Sequence, residues 1–229
     1  MDKNTVIEKI KWLGHDCMMV DSVGAGYPVI YFDPYQLEAA DKKSGVSKPK
    51  ADIILISHEH FDHCSSEDVK KIIKENTVIV TEKDSAQKLN KELGREVEGK
   101  IQIIAPGGSV TLNQVSITAV PSYNTNKKFH PQKNKWLGFI VDIGGVKLYH
   151  AGDTDFIPEM SQIRCDIAFL PVSGTYVMTA EEAAAAALAI KPQVAIPMHY
   201  GSIVGGDSDA VQFKKALEGK IDVYICEKH

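Results

Sequence analysis

Cysteine is scarce in this chain: four among 229 residues, set far apart at Cys17, Cys64, Cys165 and Cys226 without a Cys-x-x-Cys pair. That usage excludes a disulfide scaffold and suits reduced thiols. Long apolar runs are also missing. The longest, Ala183 to Ile190, falls far short of the roughly 18 residues that a membrane-spanning helix needs. From Met1 to Gly14 the charges of Asp2, Lys3, Glu8, Lys9 and Lys11 break up the apolar residues, so no secretory core is present there and a cytoplasmic location is expected. Basic residues cluster no further than pairs such as Lys42-Lys43, Lys70-Lys71 and Lys127-Lys128, and the formal net charge is −4. Nucleic acid and membrane surfaces are therefore not expected as partners. Repeats and low-complexity linkers are absent, and 44% hydrophobic with 24% charged residues is ordinary globular composition, so residues 1–229 are expected to form a single domain.

What the chain does have is a succession of short apolar or alternating runs bounded by turn residues. These predict strands at Val6–Leu13, Cys17–Asp21, Val29–Phe32, Ile53–Ser57, Thr77–Val80, Ile101–Ile104, Val115–Val120, Leu137–Val141, Lys147–His150, Ile167–Leu170, Val194–Pro197 and Asp222–Ile225. Ser65-x-x-Asp68 and Thr179-x-x-Glu182 read as capping boxes that open helices, the second leading into Ala183–Ile190 and stopped by Pro192. Further helices are expected at Ser85–Leu93 and Ser208–Glu218. Strands lead and helices follow in each half of the chain. The expected architecture is α/β, two β-then-α halves facing one another.

The chemistry concentrates after the run Ile53-Ile54-Leu55-Ile56, in Ser57-His58-Glu59-His60-Phe61-Asp62-His63. An apolar run that ends in a polar cluster is a buried strand delivering side chains to the strand end, where α/β proteins place their ligand sites. Alternate residues of an extended segment point the same way, so His58 and His60 can grip one metal ion while Asp62 and His63 project towards an adjacent position. More donors wait at later strand ends, in His150-Ala151-Gly152-Asp153-Thr154 and in Pro197-Met198-His199-Tyr200. Alternation sets His150 opposite to Ala151, which makes it a buried supporting histidine rather than a ligand.

With these motifs the sequence resembles the metallo-β-lactamase-fold hydrolases. His-Ala-Gly-Asp-Thr and Pro-Met-His-Tyr are most similar to the branch containing ascorbate-6-phosphate lactonase and the N-acylphosphatidylethanolamine phospholipase D, and the match runs from Trp12-Leu13-Gly14-His15 to His199. The resemblance implies a four-layer αββα sandwich with two divalent metal ions, Zn or Mn, at one edge. It implies His58 and His60 on the first ion, Asp62, His63 and His199 on the second, and Asp153 between them, with Asp33 supporting the ligands from behind. His15 resembles a position near the active site of that branch; its plain alternative is a satisfied loop histidine.

One departure stands out. Where many relatives carry a further histidine for the first ion, this chain has Val120-Pro121-Ser122-Tyr123-Asn124, and Asn124, a poor zinc ligand, is expected to support the site or contact substrate. The first site is then weak, filled by water, or completed by His130, whose loop also offers Lys127, Lys128, Lys133 and Lys135 as an anion-binding rim. Gly174-Thr175-Tyr176 is either a substrate-contacting loop or a simple turn.

The expected activity is hydrolysis of a small ester, lactone or phosphodiester by a metal-held hydroxide, with Asp62 positioning the nucleophile and His130 or Tyr176 meeting the developing negative charge. His60 stands where a flavodiiron oxidoreductase would carry glutamate, and the length leaves no room for a nuclease's inserted domain. Substrate-lining loops are expected at Pro34–Pro49, Tyr123–Lys135 and Gly201–Asp207. A small molecule is the expected partner, together with a homo-oligomer as the resembled branch often forms. The alternative reading is a non-catalytic metal- or metabolite-binding protein on the same fold, motivated by Asn124.

Overall fold

The computed structural model of the protein describes residues 1–37 and 48–229, so part of the expected lining loop Pro34–Pro49 lies outside the described residues. The first sheet is laid out in chain order, β1 (Ile10–Gly14), β2 (Cys17–Val20), β3 (Ile30–Phe32), β4 (Ile53–Ile56), β5 (Val78–Thr81) and β6 (Ile101–Ile103). Its first three strands are antiparallel, and β3 to β6 run parallel. The second sheet holds β7 (Ser109–Leu112), β8 (Val115–Pro121), β9 (Leu137–Ile143), β10 (Val146–His150), β11 (Ile167–Pro171), β12 (Val194–Met198) and β13 (Asp222–Val223). Here β7 to β10 are antiparallel and β10 to β13 parallel.

Period-two alternation decides the layers. Trp12, Met18, Ile30, Phe32 and Leu55 of the first sheet share one buried cluster with Phe139, Val141, Leu148 and Phe169 of the second. Their neighbours Leu13, Cys17, Met19, Tyr31, Ile54 and Ile56 face the other way, against Val69 and Ile72 of α2 (Ser66–Ile72) and Leu89 of α3 (Lys83–Leu93). On the far side α4 (Ala180–Ile190) and α5 (Asp207–Ala216) cover β11 and β12. Ala183, Ala184, Ala186 and Ala187 are all buried, because methyl-sized side chains let the α4 backbone lie close against the sheet. The result is the expected four-layer αββα sandwich.

Both expected capping residues act. Thr179 Oγ1 accepts from the Glu182 amide at 3.1 Å while Glu182 accepts from the Thr179 amide at 2.8 Å. Ser65 Oγ accepts from the Asp68 amide at 3.3 Å, and the Asp68 carboxylate accepts from the Gln36 and Leu37 amides at 2.9 and 3.1 Å, tying α2 to the chain beyond β3. Two expectations are corrected. The strand expected over Val6–Leu13 begins as a helix, α1 (Lys3–Ile7), with the strand starting at Ile10: Val6 is buried from a helical turn, and a short apolar run fits either element. Strand β7 was not expected. It lies at the sheet's edge, alternately exposed and half-buried, and so carries little apolar signal.

The carboxyl ends of β3, β4, β8, β10 and β12 open on one edge of the sandwich. There the sheets are stitched directly: the Leu137 amide donates to Ser57 O at 3.0 Å and the His199 amide to His15 O at 3.1 Å.

Candidate metal centre

Several donors leave their strands through backbone that few residues adopt. His15, Asp33 and His199 have φ of 52°, 43° and 60°, each immediately beyond a strand. Left-handed backbone at a residue with a side chain is strained, and such strain gathers at functional sites. Before Asp153, Gly152 has φ 61°, and a Cβ there would lie 2.7 Å from Leu137 O. Only glycine lets Asp153 sit so close to the neighbouring strand.

The hydrogen bonds around the imidazoles fix their tautomers. Ser57 Oγ donates to Asp33 Oδ2 at 2.6 Å, so it accepts from His58 Nδ1 at 2.9 Å, and His58 Nε2 in turn accepts from His60 Nδ1 at 2.9 Å. His63 Nδ1 donates to Asp33 Oδ2 at 2.9 Å, which turns Nε2 towards Asp153. Ser173 Oγ donates to Thr175 O at 3.4 Å and accepts from His199 Nδ1 at 2.9 Å. At the fourth histidine Asn124 does the work. Its Nδ2 donates to Asp155 Oδ1 and to Tyr176 O, at 3.1 and 2.8 Å, so its Oδ1 accepts from the His130 amide at 2.9 Å and from His130 Nδ1 at 3.1 Å.

Nε2 of His63, His130 and His199 thus turn into the pocket, and all three are buried without a hydrogen-bond partner. They surround Asp153, whose Oδ2 lies 3.0 Å from His130 Nε2 and 3.3 Å from His199 Nε2, and whose Oδ1 lies 3.4 Å from His63 Nε2. Buried polar atoms left without partners are costly. Bare imidazole nitrogens converging on a carboxylate fit a divalent cation of the Zn, Mn or Fe kind.

Among the described residues three groups could hold one, each offering donor atoms within 4.8 Å of one another: His58, His60 and His130; His15, Asp62, His63 and His199; and Asp16, His63, Asp153 and His199. Burial pushes His58 well below its ordinary pKa and His60 down to about 4, which keeps both neutral. Burial opposes ionisation of Asp153, yet His199, His63 and His130 hold its carboxyl well below the usual range. Burial likewise opposes ionisation of Asp62, but the hydrogen bond from His15 Nε2 at 3.1 Å and the nearby His63 bring it to about 2. Burial would depress His63, but Asp153 and Asp33 push it well above its ordinary value.

All of His58, His60, Asp62, His63, Asp153 and His199 come together. His130 joins them beside His58 and His60; with its Nδ1 proton on Asn124 it offers a lone pair, which suits a ligand rather than a hydrogen-bond donor. Asn124 anchors that histidine instead of facing the pocket as a ligand. Asp33 buttresses His63 directly and His58 through Ser57. His15 is buried against Asp62 and lies 4.1 Å from His199, ring to ring. Tyr176 is exposed, and its main chain meets Asn124. His150 is a buried supporting histidine, bonded to Asp16 O at 3.0 Å and to the Gly152 amide at 3.3 Å. Lys127 is turned to Asp155, in the chain after β10, at 2.6 Å and so is neutralised within the protein.

Three contributors were not foreseen. Asp16 is fully buried with both carboxylate oxygens unpartnered and Oδ2 3.7 Å from His63 Nδ1; its place beside His15 at a strand end was the available signal. Asp155 gathers the Thr125 and Asn126 amides at 2.7 and 3.3 Å, and it follows Asp153 by two residues. Trp136 walls His58, His60 and His130 at ring distances of 4.6, 4.8 and 5.4 Å, and nothing in the sequence singled it out.

Comparison with known proteins agrees with this arrangement. Residues 9–199 match the beta-lactamase superfamily domain. A UPF0173 metal-dependent hydrolase of Thermoplasma acidophilum is 35% identical over 226 residues, covering 95% of this chain and 93% of that one. Its counterpart from Archaeoglobus fulgidus is 31% identical over 227 residues, with 95% and 94% covered. A crystal structure from Parabacteroides distasonis, of a protein assigned as a metal-dependent hydrolase, has a TM-score of 0.80 at 36% identity, covering 96% of this chain and 93% of its own. A metallo hydrolase from Ignicoccus hospitalis shares the fold, with a TM-score of 0.74 at 24% identity and 96% and 94% covered. Similarity of that extent, spanning every strand end from His15 to His199, means that the chain belongs to the UPF0173 metal-dependent hydrolases of the metallo-β-lactamase superfamily.

Proposed function

We propose that the protein hydrolyses a small ester, lactone or phosphodiester with two divalent ions, Zn or Mn. His58, His60 and His130 would hold the first, Asp62, His63 and His199 the second, and Asp153 would serve both. The observation that carries this reading is that His63, His130 and His199 have their Nδ1 atoms held by protein acceptors while their Nε2 atoms, without hydrogen-bond partners, surround Asp153. Bound there, such ions supply activated water at neutral pH and polarise the scissile group.

The chain's own residues do the orienting. His15 Nε2 donates to Asp62 Oδ2 and holds that carboxylate ionised, so its other oxygen is free to accept a proton from the attacking water. Asp33 holds His58 and His63 in one geometry, and Trp136 keeps water from the first triad. The lactonase and phospholipase branch is favoured by the shared His-Ala-Gly-Asp-Thr and Pro-Met-His-Tyr stretches. Asn124 no longer favours a non-catalytic protein, since it positions a donor.

Elemental analysis of wild type, Asp153→Ala and His130→Ala, beside a hydrolysis panel, tests the proposal. Two ions per wild-type chain, depletion in Asp153→Ala and one retained ion in His130→Ala are expected, with turnover only in the wild type. Wild-type protein loaded with Zn or Mn that hydrolyses no member of the panel would overturn it.

A further inference from the structure

Beside the first donor triad stand two exposed phenylalanines, each packed against a tyrosine. His60 and His130 face one another with ring centroids 5.1 Å apart, and each is next in the chain to a phenylalanine that points into solvent. Phe61 is 62% exposed and Phe129 51%. Isolated exposed apolar residues need no explanation, but each of these is paired. Phe61 meets the Tyr35 ring edge-on at 6.0 Å, and Phe129 meets Tyr176 edge-on at 4.5 Å.

Both tyrosines are tied to the centre. The Tyr35 ring lies 6.1 Å from His15. Tyr176 holds φ 70°, and its main-chain oxygen accepts from Asn124, the residue that anchors His130. One aromatic pair is thus carried by the β4 end and the other by the loops after β8 and β11. Lys127, which could have offered charge here, is neutralised by Asp155.

We infer that the paired aromatics Phe61–Tyr35 and Phe129–Tyr176 form a clamp for an apolar, ring-sized group beside the scissile bond of the substrate. This rests on the hydrolytic reading above and narrows it. The group would be the alcohol part or the acyl part of an ester or lactone, or one arm of a phosphodiester. In an ester the acyl C–O bond breaks: the oxygen of water joins the acyl carbon, and a proton leaves with the alcohol. In a phosphodiester the P–O bond breaks in the same way. Offset and edge-on contacts on both faces of a ring would recover the apolar area that the two phenylalanines now leave in water.

The test compares kcat/KM for benzyl acetate and ethyl acetate, whose alcohols differ little in acidity, and for benzyl ethyl phosphate and diethyl phosphate. A preference of about ten-fold for the benzyl member is expected, lost in the double variant Phe61→Ala/Phe129→Ala and retained when both are changed to Trp. Ring contact is read separately, without turnover, from saturation-transfer NMR with benzyl methyl ether. Its signal should fall in the alanine double variant. The ester pair and the phosphodiester pair tell which bond is cleaved. Equal turnover of the benzyl and ethyl members, or an ether signal indifferent to the double substitution, would overturn the clamp. An ether signal lost on substitution, with no hydrolysis of any of the four compounds, would uphold the clamp and count against the hydrolytic reading.

Discussion

At the residue scale the centre depends on two side chains placed behind the ligands, Asn124 and Asp33. Asn124 Oδ1 serves only His130, whereas Asp33 takes the His63 Nδ1 proton and, through Ser57 Oγ, fixes His58. Removing partners of this kind typically weakens metal affinity by about 10–100-fold. Asn124→Ala is therefore expected to weaken one ion of the pair and Asp33→Ala both, read by competition with a chromophoric chelator. Equal effects of the two substitutions would mean that the tautomers are not set in this way. Asp33 was legible through the resemblance, because it matches the aspartate that the resembled hydrolases carry at the end of an early strand. The sequence made Asn124 legible as a supporting or substrate-contacting residue but not its partner, which is six residues downstream, while the Nδ2 contacts that turn its oxygen towards His130 come from Asp155 and Tyr176. Asp16 was missed for a related reason, since only packing reveals that neither of its oxygens finds a donor.

At the scale of elements the decisive feature is the close approach of the chain leaving β10 to the start of its antiparallel neighbour β9 beside the site. Gly152 follows β10 with φ 61°, and a Cβ there would meet Leu137 O at 2.7 Å and Ser57 Cβ at 3.1 Å. Ala at this position is strained by its backbone and again by contact with a strand that cannot retreat. Gly152→Ala is expected to lower unfolding stability by about 1–3 kcal/mol, measured by urea denaturation of metal-stripped protein so that lost binding does not enter. A change under about 0.5 kcal/mol would show that the strand end relaxes freely. Such placement was partly readable: the buried strands β4, β11 and β12 announced themselves as unbroken apolar runs, because both faces are covered. The half-exposed edge strand β7 did not, and the turn of helix at Lys3–Ile7 was hidden inside a run that also suits a strand.

At the scale of the whole molecule the candidate donors are shared between the sheets. His58, His60, Asp62 and His63 follow β4 of the first sheet, whereas His130, Asp153 and His199 belong to connections of the second. Ions held by both sets would cross-link the sandwich at the edge where only a few main-chain bonds, such as Leu137 to Ser57 and His199 to His15, join the layers. A ligand that binds only the folded state adds about 2.7 kcal/mol of stability at a hundred times its Kd. Removing metal with a chelator should therefore lower the unfolding midpoint of the wild type, and restoring Zn or Mn should raise it again in proportion to the logarithm of free metal. Asp153→Ala should respond much less, since it lacks the carboxylate common to both sets. Protons compete with metal for the same imidazoles and carboxylates, so the gap between loaded and stripped protein should narrow as pH falls and widen as it rises towards neutrality. A midpoint indifferent to chelator at pH 7 would mean that the two sheets hold together without the ions, and that the converging donors are not a binding site in the folded chain.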